Sequence, residues 1–228
     1  MSTMRNSNDG KQKIIVFIQG NISSGKSTLI RNLKAEGHVV YEEPVDKWLN
    51  EYKDESGTNS LELFYQNMKE HAFFFEMLVM RTRWEKIKEA LRNESPLVFI
   101  ERSFETDTNV FALNLFENKL MNPLQWRLYN ELLQDKKDDV EHLFENVEVH
   151  QLYLRTDPNI CFDRKYIRNR IEERSIPIEY FRIIHEKHDN WLTCLEKELE
   201  NKTHIIDGNN SIEEVLISVR IFITGFLD

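Results

Sequence analysis

The chain has 228 residues, which suits one α/β domain with a sizeable core. Its formal net charge of -9 argues against a general nucleic-acid or membrane-surface role, because phosphate backbones call for a basic footprint. Its two cysteines, Cys161 and Cys194, lie far apart and lack metal spacing, so a reducing, cytoplasmic setting is expected. No apolar run reaches the length of a membrane span, and MSTMRNSNDGKQK lacks the apolar centre of a signal peptide. Residues 1–12 read as a flexible tail and 13–228 as a single domain.

In chain order, "KIIVFI" (13–18) is a short apolar run ending near glycine and predicts a buried strand. "STLIRNLKAEG" predicts a helix closed by Gly37. "HVVYE" predicts a second strand. Leu61, Tyr65, Met68, Phe75, Val79 and Ile87 fall at helical spacings. The span from Leu61 to about Arg92 is long for one globular helix, so a break near His71 is expected. "PLVFI" (96–100) predicts a third strand, and "TDTNVFALNLFENK" a helix after it. Asn122, Pro123 and Gln125 supply an N-cap, a first-turn proline and a capping partner for the next helix. "VEVHQLYL" (147–154) is a fourth strand, and Asp157-Pro158 opens another helix. Pro177 opens a further helix to about Leu199, "THIID" (203–207) is a fifth strand, and Ser211 with Glu214 caps a last helix. Strands alternating with helices predict an α/β fold: a five-stranded parallel sheet flanked by helices, its binding edge at the strands' carboxyl ends.

Gly20, Gly25, Lys26 and Ser27 fit GxxxxGK[ST] between a predicted strand and helix. Glycines let backbone N–H groups turn inward around phosphates, and the helix adds its positive end. Gly20, Asn21, Ile22, Ser23, Ser24, Gly25, Lys26, Ser27 and Thr28 would form the nucleotide cradle. Lys26 would reach the β- and γ-phosphates and Ser27 would ligate Mg²⁺. The pattern alone does not separate a kinase from a GTPase switch or a motor ATPase.

Three further segments narrow this. "YEEPVDKW" (41–48) places a carboxylate at a strand end, before a proline. "FIERSFETD" (99–107) brings Glu101, Arg102 and Asp107 to the same edge. "DRKYIRNRIEER" (163–174) puts Arg164 and Arg168 on one helical face, followed by Arg170, Glu172 and Glu173.

With GNISSGKST, EPVxKW, LxxFY, ERSxxxD, MNPLQW and RxxxRxRxxE in order across about residues 13–207, the chain resembles the deoxyribonucleoside kinases related to deoxycytidine and deoxyguanosine kinase. The resemblance implies a P-loop kinase fold with an arginine-bearing lid at about 163–175. It also implies transfer of the γ-phosphoryl group of ATP, with Mg²⁺, to a deoxynucleoside 5′-hydroxyl. Glu43 matches the general base, Arg102 the arginine beside the 5′-oxygen, and Glu101 a magnesium-associated carboxylate. Arg164 matches an arginine packed on adenine, while Arg168 and Arg170 would bring charge to the transferring group on a mobile helix. Tyr65 and Glu173 match the pair on the sugar 3′-hydroxyl, and Phe111 the aromatic stacked on the base. Phe75, Trp48, Leu61 and Phe64 would line the cleft. Arg83 and Asp107 match a charged pair at the base edge. Relatives usually carry glutamine where this chain has Glu76, and often glycine where it has Asn169. An ionised Glu76 would only accept hydrogen bonds and would tilt recognition towards guanine and its adjacent N–H donors. The resemblance further implies a homodimer and feedback by a deoxynucleoside triphosphate, with no nucleic-acid or membrane partner. A nucleoside monophosphate kinase of the thymidylate kinase kind and a P-loop GTP-binding switch are the alternatives. The first needs extra fixed cations for a phosphorylated acceptor, and for the second no NKxD motif is present.

Overall fold

The computed structural model describes residues 12–193 and 202–226. Its centre is a five-stranded parallel sheet in the order β2-β3-β1-β4-β5. The strands are β1 (Lys13–Gln19), β2 (Val39–Tyr41), β3 (Leu97–Glu101), β4 (Val147–Arg155) and β5 (Thr203–Asp207). β1 pairs with β3 from Ile14↔Leu97 to Ile18↔Glu101, and with β4 from Lys13↔Val147 to Gln19↔Tyr153. This register brings the ends of β1 and β3 side by side.

β1 reads as a continuous apolar run because both of its faces are buried. Ile15 and Phe17 join the core under α2 (Val45–Asn50), α3 (Ser60–Gln66), α4 (Met68–Arg92) and α7 (Pro123–Glu141). Val16 and Ile18 join the opposite core under α1 (Lys26–Ala35) and α10 (Ile212–Thr224). The caps read at Asn122 and Ser211 form as reciprocal capping boxes with Gln125 and Glu214.

Several boundaries differ from the sequence reading. The long helical span breaks at Asn67, four residues before His71. Asn67 leaves helical geometry at φ -146, ψ 78 and its side chain accepts from the Glu70 N–H, so one residue ends α3 and caps α4. The segment expected as one helix after β3 is α5 (Phe104–Thr106), a π-helix over Asp107–Ala112, and α6 (Leu113–Glu117). α2, directly after Pro44, was not expected. α8 (Pro158–Arg168) ends at Asn169, which sits at φ 53, so Arg170 lies beyond the helix, ahead of a 3₁₀ turn at Ile171–Glu173. α9 runs over Ile178–Thr193. The rest of the helix expected to Leu199, Cys194 and the N-terminal tail up to residue 11 lie outside the described residues.

Candidate active site

The loop after β1 needs glycine at its first position. Gly20 has φ 146, and a Cβ there would stand 2.8 Å from both the Leu154 carbonyl and Ser24 Oγ. Gly25 turns the chain into α1 at φ 110. Lys26 Nζ donates to the Gly20 and Asn21 carbonyls at 3.1 and 2.8 Å. Burial, with Arg102 adding to it, brings Lys26 down to about 7. Ser23 and Ser24 keep buried hydroxyls without partners. Asn21 departs from its expected place in the cradle: its side chain is buried behind the loop, donating to the Phe181 carbonyl and accepting from the Ile22 N–H. Its role is to tie the loop to α9.

The ends of β2 and β3 and the middle of α4 meet in one charged knot. Arg83 donates from Nε to Asp107, from Nη1 to the Glu101 carbonyl at 2.9 Å and from Nη2 to Glu43 at 2.8 Å. It keeps the Asp107 pairing that the sequence suggested and shares its other nitrogens between two further groups. The Glu43 backbone N–H donates to Glu101 Oε2 at 3.2 Å. Arg102 takes a left-handed backbone, φ 65, at the end of β3. A non-glycine residue held there is a strain that functional sites commonly carry. Its guanidinium lies 4.6 Å over the Phe111 ring, and its buried Nε and Nη1 lack hydrogen-bond partners. The Nε comes within 3.3 Å of Glu43 Oε1. Open buried N–H groups beside a carboxylate make a place for an oxygen-bearing ligand. Burial pushes Glu43 up, but Arg102 and Arg83 outweigh it and hold the carboxyl at about 2.

The lid segment leans on this knot from the far side. Arg164 Nη1 donates to the Ser24 carbonyl at 3.1 Å and the Gly208 carbonyl at 3.0 Å, which fixes it against the phosphate loop. Arg168 and Arg170 both donate to Glu173, each to a different oxygen. Glu172, four residues after Arg168, does not pair with it and accepts from Asn59 at 2.9 Å. Arg168 is lowered to about 10 by burial and by neighbouring Arg170.

One cavity of about 580 Å³ joins these parts. Every residue named above as a site candidate borders it except Gly20 and Asn21. Its apolar end includes Phe64 stacked on Phe75 at 4.6 Å, and Trp48 edge-on to Phe75 at 5.4 Å. Trp48 Nε1 is satisfied by Thr82 at 3.0 Å. Glu76 is only 3 % exposed and its Oε2 has no partner. Burial raises Glu76 well above the ordinary carboxylate value, and Asp107 raises it further against Arg83. The direction of this shift favours the protonated form and so works against the accept-only Glu76 on which the tilt towards guanine rested. A proton-bearing carboxyl both donates and accepts.

The family model for deoxynucleoside kinase matches residues 16–223. A deoxycytidine kinase from Rattus norvegicus is 35% identical, over 84% of this chain and 80% of its own. Deoxycytidine kinase 1 of Xenopus laevis is 36% identical, over 78% of this chain and 73% of its own. A probable deoxycytidine kinase of fowlpox virus is 29% identical, over 92% and 88%. The chain belongs to the deoxynucleoside kinase family.

It is an ATP-dependent deoxynucleoside kinase, a phosphotransferase on the P-loop kinase fold. Among the described residues, no helix of the kinase is long and apolar enough to cross a membrane. Among the residues bordering the kinase's cavity that sequence reasoning missed are Val79 and Tyr180. Val79 had a signal: it stands four residues from both Phe75 and Arg83, on the same face of α4. Tyr180 had none, because it reaches the cavity only through the tertiary packing of α9 against α8 and the π-helix.

Proposed function

We propose that the kinase binds a deoxynucleoside between α4, the π-helix and the lid, with its 5′-hydroxyl at Glu43. The observation that carries this is the pairing of Glu43, ionised and fixed by Arg83, with Arg102, whose open N–H groups face the same space. The hydroxyl donates to Glu43 and is aimed along the line to the phosphate loop. Arg102 donates to the 5′-oxygen and the transferring group, where negative charge is spread. Lys26 exchanges its two loop carbonyls for phosphate oxygens. Arg168 and Arg170 turn from Glu173 to the phosphates as the lid, about 163–175, closes and excludes water. Tyr65 and Glu173 hold the 3′-hydroxyl, Phe111 stacks on the base, and Trp48 and Phe75 wall the cleft. Arg164 supports the adenine side of ATP.

Ser27 and Glu101 fit Mg²⁺. Ser27 opens α1 on the cavity wall, and Glu101 borders the cavity with one oxygen outside the bond from Glu43. The described residues contain no cluster of three or more acidic, His or Cys side chains suited to a metal cage. Magnesium commonly takes only one or two protein oxygens and completes its shell with phosphates and water. When bound, it would neutralise charge on the β- and γ-phosphates. The similarity to deoxycytidine kinases, and a corner where Glu76 can donate and accept, favour deoxycytidine among the substrates. A single domain over 13–228, a homodimer, feedback by a deoxynucleoside triphosphate and a cytoplasmic location belong to the same reading.

The test is a phosphorylation assay over the four natural deoxynucleosides and their monophosphates, with ATP. Turnover of deoxynucleosides well above that of monophosphates supports the site. The reverse order sinks it, because the acceptor would then be a phosphate.

A further inference from the structure

Glu76 places an acid without an ion-pair partner of its own in an otherwise paired corner. It sits on α4 two turns before Arg83 and one turn before Val79, and borders the cavity wall together with Val79 and Phe75. Arg83 is the nearby cation, but its three nitrogens already serve Asp107, the Glu101 carbonyl and Glu43. The groups facing Glu76 from other elements do not stabilise a negative charge. Asp107 comes from the π-helix and Glu43 from the loop after β2, both repelling it. Tyr129 of α7 and Tyr180 of α9 are raised in part by Glu76 itself. Oε2 has no partner among the described residues, and the residue is 3 % exposed. An unpaired buried polar atom on a cavity wall calls for a ligand group to complete it.

We propose that Glu76 reads the base as a proton-carrying acid, its hydroxyl donating and its carbonyl accepting, and that loss of this proton switches base preference. This rests on the reading that the Glu76, Arg83 and Asp107 corner receives the base. A neutral carboxyl matches an edge with an acceptor beside a donor, such as cytosine N3 with its amino group or adenine N1 with its own. An ionised carboxyl sets two acceptors against that edge and loses one bond. The same ionised form matches guanine, whose N1–H and amino group are adjacent donors. The proton on Glu76 is therefore a specificity element that a glutamine in its place would make permanent.

The experiment is kcat/KM for deoxycytidine and deoxyguanosine from about pH 5 to about pH 9, on the parent and on Glu76→Gln. The ratio of the two substrates cancels pH effects on phosphoryl transfer, which they share. In the parent the deoxycytidine-to-deoxyguanosine ratio should fall about ten- to a hundredfold as pH rises, the loss that one unmatched buried polar group produces. The change should lie in KM, since the base edge is not a reacting group. In Glu76→Gln the ratio should be flat. Calorimetry on the parent supplies a readout that does not depend on the variant: above the transition, deoxycytidine binding should take up a proton. A parent ratio that stays flat, or a slope that survives in Glu76→Gln, overturns the proposal. If the parent phosphorylates no deoxynucleoside at any pH, the failure lies with the proposed function instead.

Discussion

In the proposed mechanism Glu43 would act as the base, yet two arginines hold it at about 2. So weak a base gains little by taking a proton early. In a loose phosphoryl-transfer transition state the hydroxyl proton leaves late, so fixing the oxygen matters as much as basicity. Glu43→Gln should keep the fold and lose about 10²- to 10⁴-fold in kcat, with nucleoside affinity less affected. Steady-state kinetics with direct nucleoside binding checks this, and turnover within a few-fold of the parent would remove Glu43 from the chemistry. Because Glu43 stays ionised down to about 2, any fall of kcat near pH 5 must belong to another group. Glu76 gives a stability prediction of definite sign. Its folded value is raised above the ordinary 4.5 by burial and by Asp107. Below the unfolded value both states hold the proton and nothing is lost. As pH rises towards the folded value only the unfolded chain ionises, so the parent progressively loses stability. Glu76→Gln should therefore gain in urea midpoint at about pH 7 and show no gain near pH 4. An equal gain at both would mean that packing, not ionisation, is responsible. Single residues such as Lys26 and Glu43 were legible because their motifs are local. The threefold division of Arg83 was not, since no local pattern shows how one guanidinium is shared between the Glu43 segment and the 99–107 segment.

At the scale of elements, the lid shows where local pattern stops informing. Spacing correctly put Arg164 and Arg168 on one helix, α8. It could not place Arg170 beyond the helix, because the stop is conformational: Asn169 adopts the left-handed region, φ 53, and its side chain accepts from Arg174. Glycine and asparagine are the residues that tolerate this position. The break at Asn67 was misplaced to His71 for a similar reason: apolar periodicity runs through it, and the decisive signal was an asparagine three residues before Glu70. Glu173 holds both Arg168 and Arg170 in this structure, so each must leave it to reach a phosphate. Arg168→Ala should lower kcat more than it weakens ATP binding, and lysine should rescue only in part because it lacks the planar fork. Measuring kcat beside the ATP dissociation constant decides it. A loss of ATP affinity with kcat untouched would make Arg168 a plain binding residue.

At the scale of the molecule, all five strands were legible, since each is a short apolar run set off by turn residues, and the parallel order followed from their alternation with helices. The sequence did not reveal which helical faces stay uncovered. α4 and α7 pack on each other, yet α4 exposes Phe74 by 50 %, and α7 exposes Leu124 by 77 % and Leu128 by 44 %. Leu124 and Leu128 are one turn apart, so they share a face, and Pro123 with the Asn122 cap fixes where that face begins. Single exposed leucines need no explanation, but an apolar pair on a capped, well-packed helix is suited to meeting a second copy through a two-fold axis. In such a contact each residue is used twice, so a charge placed there is also met twice. Sedimentation equilibrium should give twice the chain mass for the parent. Leu124→Asp combined with Leu128→Asp should give the single-chain mass with the fold intact by circular dichroism, because the change falls on exposed positions. A parent that sediments as one chain, or a double variant that stays paired, rules out this face as the contact.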